Sequence, residues 1–276
     1  MESVNKIRFL HIPKSAGTSF SNCLRRLYKA NRFKQNVFVF EGSFEQDMAR
    51  YQALTGKERS KLVLVSGHVP LVTGIQDIDA LPTITFLRNP VERVKSLCQH
   101  ISEGKVWNID PNLDLDAYLN DPYNIWIDNL QTRTLLGHAN YALPENSEAS
   151  IVALAMDVLE NRLACFGITE YFDDSLLLFM HSLGWRTYPV YTKLNQKSTA
   201  KLLNFTDSQL AKIRERNNID IQVYEAAVKL FKARLAARAD IIEASRQRFR
   251  LRQQIFGPIL RIYQFYHKFQ SRLNRA

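Results

Sequence analysis

The sequence predicts an α/β fold, a three-layer sandwich around a central parallel sheet, with a long helical extension at the C-terminus. Short continuous apolar runs at 7–12, 62–65, 83–87 and 166–169 read as strands buried on both faces. Amphipathic helical patterns separate them, and from residue 207 onward the pattern is helical throughout. Three of the strands also end in polar turns rich in basic, hydroxyl or imidazole groups.

The first strand ends at Pro13. Lys14, Ser15, Ala16, Gly17, Thr18 and Ser19 follow, and apolar positions at Phe20, Cys23, Leu24 and Leu27 then set a helix. A strand, a tight turn and a helix N-terminus form a site for a phosphate-like anion, because unpaired backbone N–H groups and the helix dipole point at it. Lys14 adds a charge, and Thr18 and Ser19 add donors. The stretch reads as a phosphate or sulfate cradle on a P-loop-like nucleotide-binding fold. It is not a Walker A loop, in which the lysine follows the last glycine; here Lys14 precedes Gly17.

Residues 37–40 read as a short strand and 44–54 as a weak helix. The strand at 62–65 runs into Ser66-Gly67-His68-Val69-Pro70, and that at 83–87 into Arg88-Asn89-Pro90. Pro90 opens a helix with its apolar stripe at Val91, Val94, Leu97, Cys98 and Ile101. Ligands of parallel α/β sheets bind beyond the strand C-termini, so the three turns are expected to converge. Arg88 and Ser96 offer an arginine fork and a hydroxyl to a phosphate monoester. Arg93 reads as the structural partner of a nearby carboxylate. His68 is placed to act as a general base, with Glu92, His100 and Asp128 as alternatives.

Further on, 104–124 is polar and loop-rich, and 125–136 reads as a helix stopped by Gly137, with Asn129 and Arg133 sharing a face. A linker at 140–147, a helix at 148–163, the strand at 166–169 and a helix at 173–183 follow. Residues 192–202 are polar. Thr206 or Asp207 caps the next helix, Asn217-Asn218 breaks it, and Gly257-Pro258 is expected to interrupt the last one, with Pro258 starting a final helix. The chain divides into a body, 1–240, and a basic amphipathic tail, 241–276.

The residues HIPKSAGTS at 11–19 resemble the 5′-phosphosulfate-binding loop of sulfotransferases that use 3′-phosphoadenosine-5′-phosphosulfate (PAPS), above all the carbohydrate 2-O-sulfotransferase branch. Residues 88–96 fit that family's R-x-P-x-x-R-x-x-S pattern, and Gly67-His68-Val69 is similar to the setting of its base histidine. The resemblance covers residues 7–235 in motif order. It implies a catalytic body with PAPS as co-substrate and no required metal. Lys14 to Ser19 would hold the 5′ end, with Lys14 also stabilising the bridging oxygen, and Arg88 and Ser96 would hold the 3′-phosphate. His68 would be the base. Asn129 and Arg133 are similar to the family's acceptor region, and the stretch containing Asn195 and Lys197 to its late nucleotide-covering loop. The implied acceptor is a hydroxyl of a saccharide, glycolipid or metabolite. Eukaryotic members carry an N-terminal membrane anchor; this chain starts close to its first strand and looks more like a soluble bacterial relative. The competing readings are a nucleotide kinase or NTPase and a membrane-surface binding module.

With 276 residues and 46% apolar content, the chain can build one large core. Cys23, Cys98 and Cys165 are odd in number and sit among apolar neighbours, which suits core thiols in a reducing compartment. The expectation is a cytoplasmic protein, at most peripheral to the inner face of the membrane. Residues 246–276 hold eight basic residues and no acid, +8 of the +10 net charge, leaving +2 for the other 245 residues. A nearly neutral body argues against nucleic acid as partner. The tail's apolar positions at 255, 259, 262, 266, 269 and 273 admit an anionic membrane, a second protomer or the chain's own body as their cover.

Overall fold

A computed structural model describes residues 6–29, 36–106, 109–137, 141–192 and 202–273, with the backbone alone at 261 and 263–273. Five strands form one sheet: β1 (Ile7–Leu10), β2 (Val37–Phe40), β3 (Leu64–Gly67), β4 (Thr83–Leu87) and β5 (Cys165–Ile168). Their order is β2-β3-β1-β4-β5, and every pairing is parallel. Every residue of β1, β3, β4 and β5 is buried, as expected of strands covered on both faces.

From β1 the chain crosses to β2 and β3 on one side; from β4 it crosses to β5 on the other. The turns after β1 and β4 therefore flank a topological switch point, where a crevice opens at the carboxyl edge of an open α/β sheet. The turn after β3 lies beside them, next to β1. Strand spacing places the three turns within a span of about 10 Å.

Helices α1 (Gly17–Leu27), α2 (Phe44–Gln52), α3 (Gly56–Lys61), α4 (Gln76–Asp79) and α5 (Pro90–Ser102) follow their strands as the apolar periodicity dictates. The short α3 and α4 were not legible as helices. The polar 104–124 segment holds one short helix, α6 (Leu115–Asn120), capped by the Asp114 carboxylate. Residues 125–136 do not form one helix. A 3₁₀ turn at Ile125–Ile127 and α7 (Leu130–Leu136) are separated by Asn129, whose left-handed backbone (φ 44°) breaks the run. α8 (Glu148–Asp157) continues into a π-helical turn at Val158–Arg162, closed by the Leu163 N–H donating to the Val158 carbonyl.

α9 (Phe172–Ser182), α10 (Asp207–Arg216), α11 (Asn218–Ala236) and α12 (Ala239–Leu273) complete the chain. Thr206 caps α10 in a capping box with Gln209, and Asn217 marks the break before α11. The expected interruption at Gly257-Pro258 is absent, and α12 passes through Pro258. A proline removes a single backbone donor, which the helix tolerates by losing one hydrogen bond. Ile242 and Phe249 of α12 join the principal core with Phe9, Phe20, Phe86, Phe166, Phe179 and Phe231. The helical tail thus begins as part of the packed body.

Candidate functional site

The turn after β1 is held in an unusual backbone shape. Lys14 (φ 68°) and Ala16 (φ 58°) both take left-handed conformations, which cost energy for residues with a Cβ. Alternation of this kind curls successive N–H groups inward and makes an anion-binding concavity. Ala16 is the N-cap of α1, with no side-chain cap and no acidic residue in the first turn. The helix N-terminus is therefore left for an external anion, whereas Ser43, Asn89, Ser147 and Thr206 supply caps to their own helices. The Ser15 hydroxyl is buried and finds no hydrogen-bond partner among the described residues.

Gly17 is required by a neighbour. A Cβ there would lie 1.5 Å from Nε2 of His11, so the imidazole occupies the space a side chain would need. His11 in turn stacks on Phe9, with ring centroids 5.3 Å apart. Burial, followed by the neighbouring His68 and Lys14, holds His11 well below the usual histidine range, so the ring is neutral.

Lys14 is half-buried. Desolvation, reinforced by Arg88, lowers its ammonium to about 8, while Glu103 opposes the shift. The Arg88 guanidinium donates to the Lys14 carbonyl at 2.9 Å, which ties the turn after β4 to the turn after β1. Gln131 of α7 clamps the Arg88 backbone at two points: its Oε1 accepts from Arg88 N–H and its Nε2 donates to Arg88 C=O, each at 2.9 Å. Glu170 accepts from the Asn89 N–H and from the Tyr224 hydroxyl. Burial lowers Arg88 from its ordinary value, with Glu170 and Glu92 opposing. Ser96 lies on α5, two turns past Arg88, and is partly exposed.

Arg93 is fully buried. It donates to the Trp126 carbonyl at 3.0 Å, and the Asp220 carboxylate acts on its charge without a direct hydrogen bond between the two among the described residues. Asp220 accepts from the N–H groups of Gln131 and Thr132 and from the Thr132 hydroxyl. Asp220 therefore supports α7, which carries the Gln131 clamp.

His68 follows β3. Gly67 before it has φ 148°, and a Cβ there would lie 2.4 Å from Cβ of Phe40 and 2.5 Å from the Phe40 carbonyl. Only glycine fits, and the backbone turns so that the His68 ring reaches His11. Nδ1 of His68 lies 2.7 Å from the His11 carbonyl, and the two rings are 4.2 Å apart. A carbonyl only accepts, so Nδ1 carries the proton and Nε2 keeps its lone pair. The ring is open to solvent but ringed by protein, and that desolvation lowers its pKa below the ordinary histidine value despite the His11 hydrogen bond. The arrangement gives a neutral imidazole with a defined tautomer. Tyr141 donates from its hydroxyl to the His68 carbonyl at 2.9 Å.

Beside His68 lies an open cavity of about 360 Å³, lined by His11, Thr18, Asn22, Arg25, Glu41 and His68 among others. Its polar walls adjoin both the anion turn and the candidate base.

Asn129 and Arg133 do not share an open helix face. The Asn129 side chain is buried, its Oδ1 accepting from the N–H groups of Ile219 and Asp220 at the start of α11. Arg133 holds the Asp128 carbonyl and carboxylate, and also the Tyr141 carbonyl. Both residues hold together the wall that carries Tyr141. Of the alternative bases, Glu92 pairs with Lys95, and Asp128 with Arg133 and Arg216. Asn195 and Lys197 lie outside the described residues. Sequence reasoning missed His11 and Gln131 as site residues, although both stood inside stretches singled out for their neighbours.

An open parallel α/β sheet with an anion-binding turn at its switch point defines a protein of the nucleotide-binding α/β class. A family model for galactose-3-O-sulfotransferase matches residues 1–256, and the chain belongs to that family. Similar proteins include heparan-sulfate 6-O-sulfotransferase 2 of Danio rerio, 28% identical over 64% of this chain and 44% of its own length. Heparan-sulfate 6-O-sulfotransferase 1 of Homo sapiens is 25% identical over 85% of this chain and 67% of its own. Heparan-sulfate 6-O-sulfotransferase 3 of Mus musculus is 26% identical over 83% and 58%. The chain thus spans less than half of the zebrafish relative, and about two thirds of the human one.

Proposed function

We propose that the protein is a sulfotransferase that moves a sulfuryl group from PAPS to a hydroxyl of a saccharide. The observation that carries this reading is the hydrogen bond from Arg88 to the Lys14 carbonyl, which sets two anion-binding elements side by side on adjacent strands. One nucleotide bearing phosphates at both ends of its ribose suits that pair. The left-handed turn and the orphaned Ser15 hydroxyl fit the 5′-phosphosulfate, and Arg88 with Ser96 fits the 3′-phosphate.

In the transfer, the bond from sulfur to the bridging oxygen breaks as a bond from sulfur to the acceptor oxygen forms. Nε2 of His68 takes the acceptor proton, which its fixed tautomer allows. Lys14 and the N–H groups of the turn meet the charge that builds on the leaving oxygen. The cavity beside His68 is the natural seat for the acceptor. The family model names galactose 3-O and the relatives heparan-sulfate 6-O, so the common element is a sugar hydroxyl. Transfer is read as metal-independent and therefore as indifferent to a chelator.

The test is transfer of labelled sulfate from PAPS to desulfated heparan and to galactose-terminated oligosaccharides. Wild type should label at least one of them. His68→Ala should lose at least about 10²-fold in turnover while binding adenosine 3′,5′-bisphosphate within about twofold of wild type. Near-normal turnover by that variant would remove His68 from the reaction.

A further inference from the structure

We propose that α12 seats the protein on the surface of an anionic lipid bilayer. The helix has two faces. Ile242, Ser245 and Phe249 are buried against the body, and Gln253 exchanges two hydrogen bonds with the Tyr191 backbone, at 3.2 and 2.6 Å. Arg246 pairs with Asp174 of α9. At 100° per residue these positions fall on one side of the helix.

Leu251, Ile255, Ile259 and Ile262 fall on the opposite side and are 57%, 51%, 56% and 72% exposed. Six of the ten large apolar residues exposed among the described residues belong to α12, which concentrates such surface in a single element. The stripe is therefore not the face that folds back over the body. Helical backbone continues to Leu273.

Charge selects the occupant. Residues 246–276 carry +8 with no acid, and two exposed arginines adjoin the stripe, Arg248 at the N-terminal end of its line and Arg250 on its flank. A second copy of the chain would bring two such tails together along the same line, at a repulsive cost. A polynucleotide would use the arginines and leave the apolar stripe in water. An anionic bilayer surface takes both, with apolar side chains at the acyl boundary and arginines among the headgroups. The proposal does not depend on sulfuryl transfer, and it is read without turnover.

The test is co-sedimentation of the full chain with vesicles of phosphatidylcholine alone and of phosphatidylcholine with phosphatidylglycerol. Binding is expected only to the anionic vesicles and is expected to be lost in about 0.5 M salt. Ile255→Glu/Ile259→Glu and Arg248→Glu/Arg250→Glu should each lower the bound fraction roughly tenfold. Their unfolding midpoints should stay at the wild-type value, because the altered side chains are exposed. No binding to anionic vesicles, or binding unchanged by the apolar pair of substitutions, would overturn the proposal. So would a stripe-dependent dimer in sedimentation velocity, or salt-sensitive binding to RNA, in a protein that stays off the vesicles.

Discussion

At the scale of single residues, the site is built on two imidazoles with different duties. His11 fills the space over Gly17, and its carbonyl fixes the tautomer of His68. Gly17→Ala should therefore displace the His11 ring and cost about 1–3 kcal/mol in denaturant unfolding. The double variant His11→Ala/Gly17→Ala should recover part of that loss; no recovery would mean the glycine serves something other than the ring. The shifts also set the pH profile. A base must be unprotonated, and His68 lies below the ordinary histidine value, so kcat/KM should rise through an apparent pKa below 6.5. Lys14 in the free protein loses its charge through about 8, so nucleotide affinity should fall as pH rises past that point. A profile still climbing between pH 7 and 9 would contradict both assignments. Lys14, Arg88 and His68 were legible because each follows a buried apolar run, where a charged or imidazole side chain at a strand end is conspicuous. His11 was not, because its contribution is made by its ring against a glycine and by its backbone carbonyl, neither of which leaves a spacing signature.

At the scale of elements, buried polar groups fix how the turns sit on the sheet. Asp220 at the start of α11 accepts two backbone N–H groups of α7 and the Thr132 hydroxyl, so α7 holds Gln131 against Arg88. Asp220→Ala would orphan those buried donors and the Arg93 charge, a loss of about 3–5 kcal/mol by denaturant unfolding. A loss below about 1 kcal/mol would show that α7 is held by apolar packing alone. The strands were readable from continuous apolar runs, and α1 and α5 from periodicity. The break at Asn129 was not, because that side chain caps a helix 90 residues later in the chain. Local pattern reports local spacing, and a cap supplied across the fold lies outside it. The same holds for Pro258, whose effect depends on what the helix can lose rather than on the residue alone.

At the scale of the whole molecule, the strand order β2-β3-β1-β4-β5 is what turns three separate turns into one site. It sets β1 between β3 and β4, so the anion turn has the candidate base on one side and Arg88 on the other. The motif stretches announced each turn, but their adjacency is a property of the topology. Binding isotherms test this account most directly, measured without metal for adenosine 3′,5′-bisphosphate and for adenosine 5′-monophosphate against wild type, Lys14→Ala and Arg88→Ala. The account predicts that Lys14→Ala weakens both nucleotides, and that Arg88→Ala, which also releases the Lys14 turn, weakens the bisphosphate by about tenfold or more beyond its loss for the monophosphate. Equal losses for the two nucleotides in Arg88→Ala, or tighter binding of ATP with magnesium than of the bisphosphate, would contradict it.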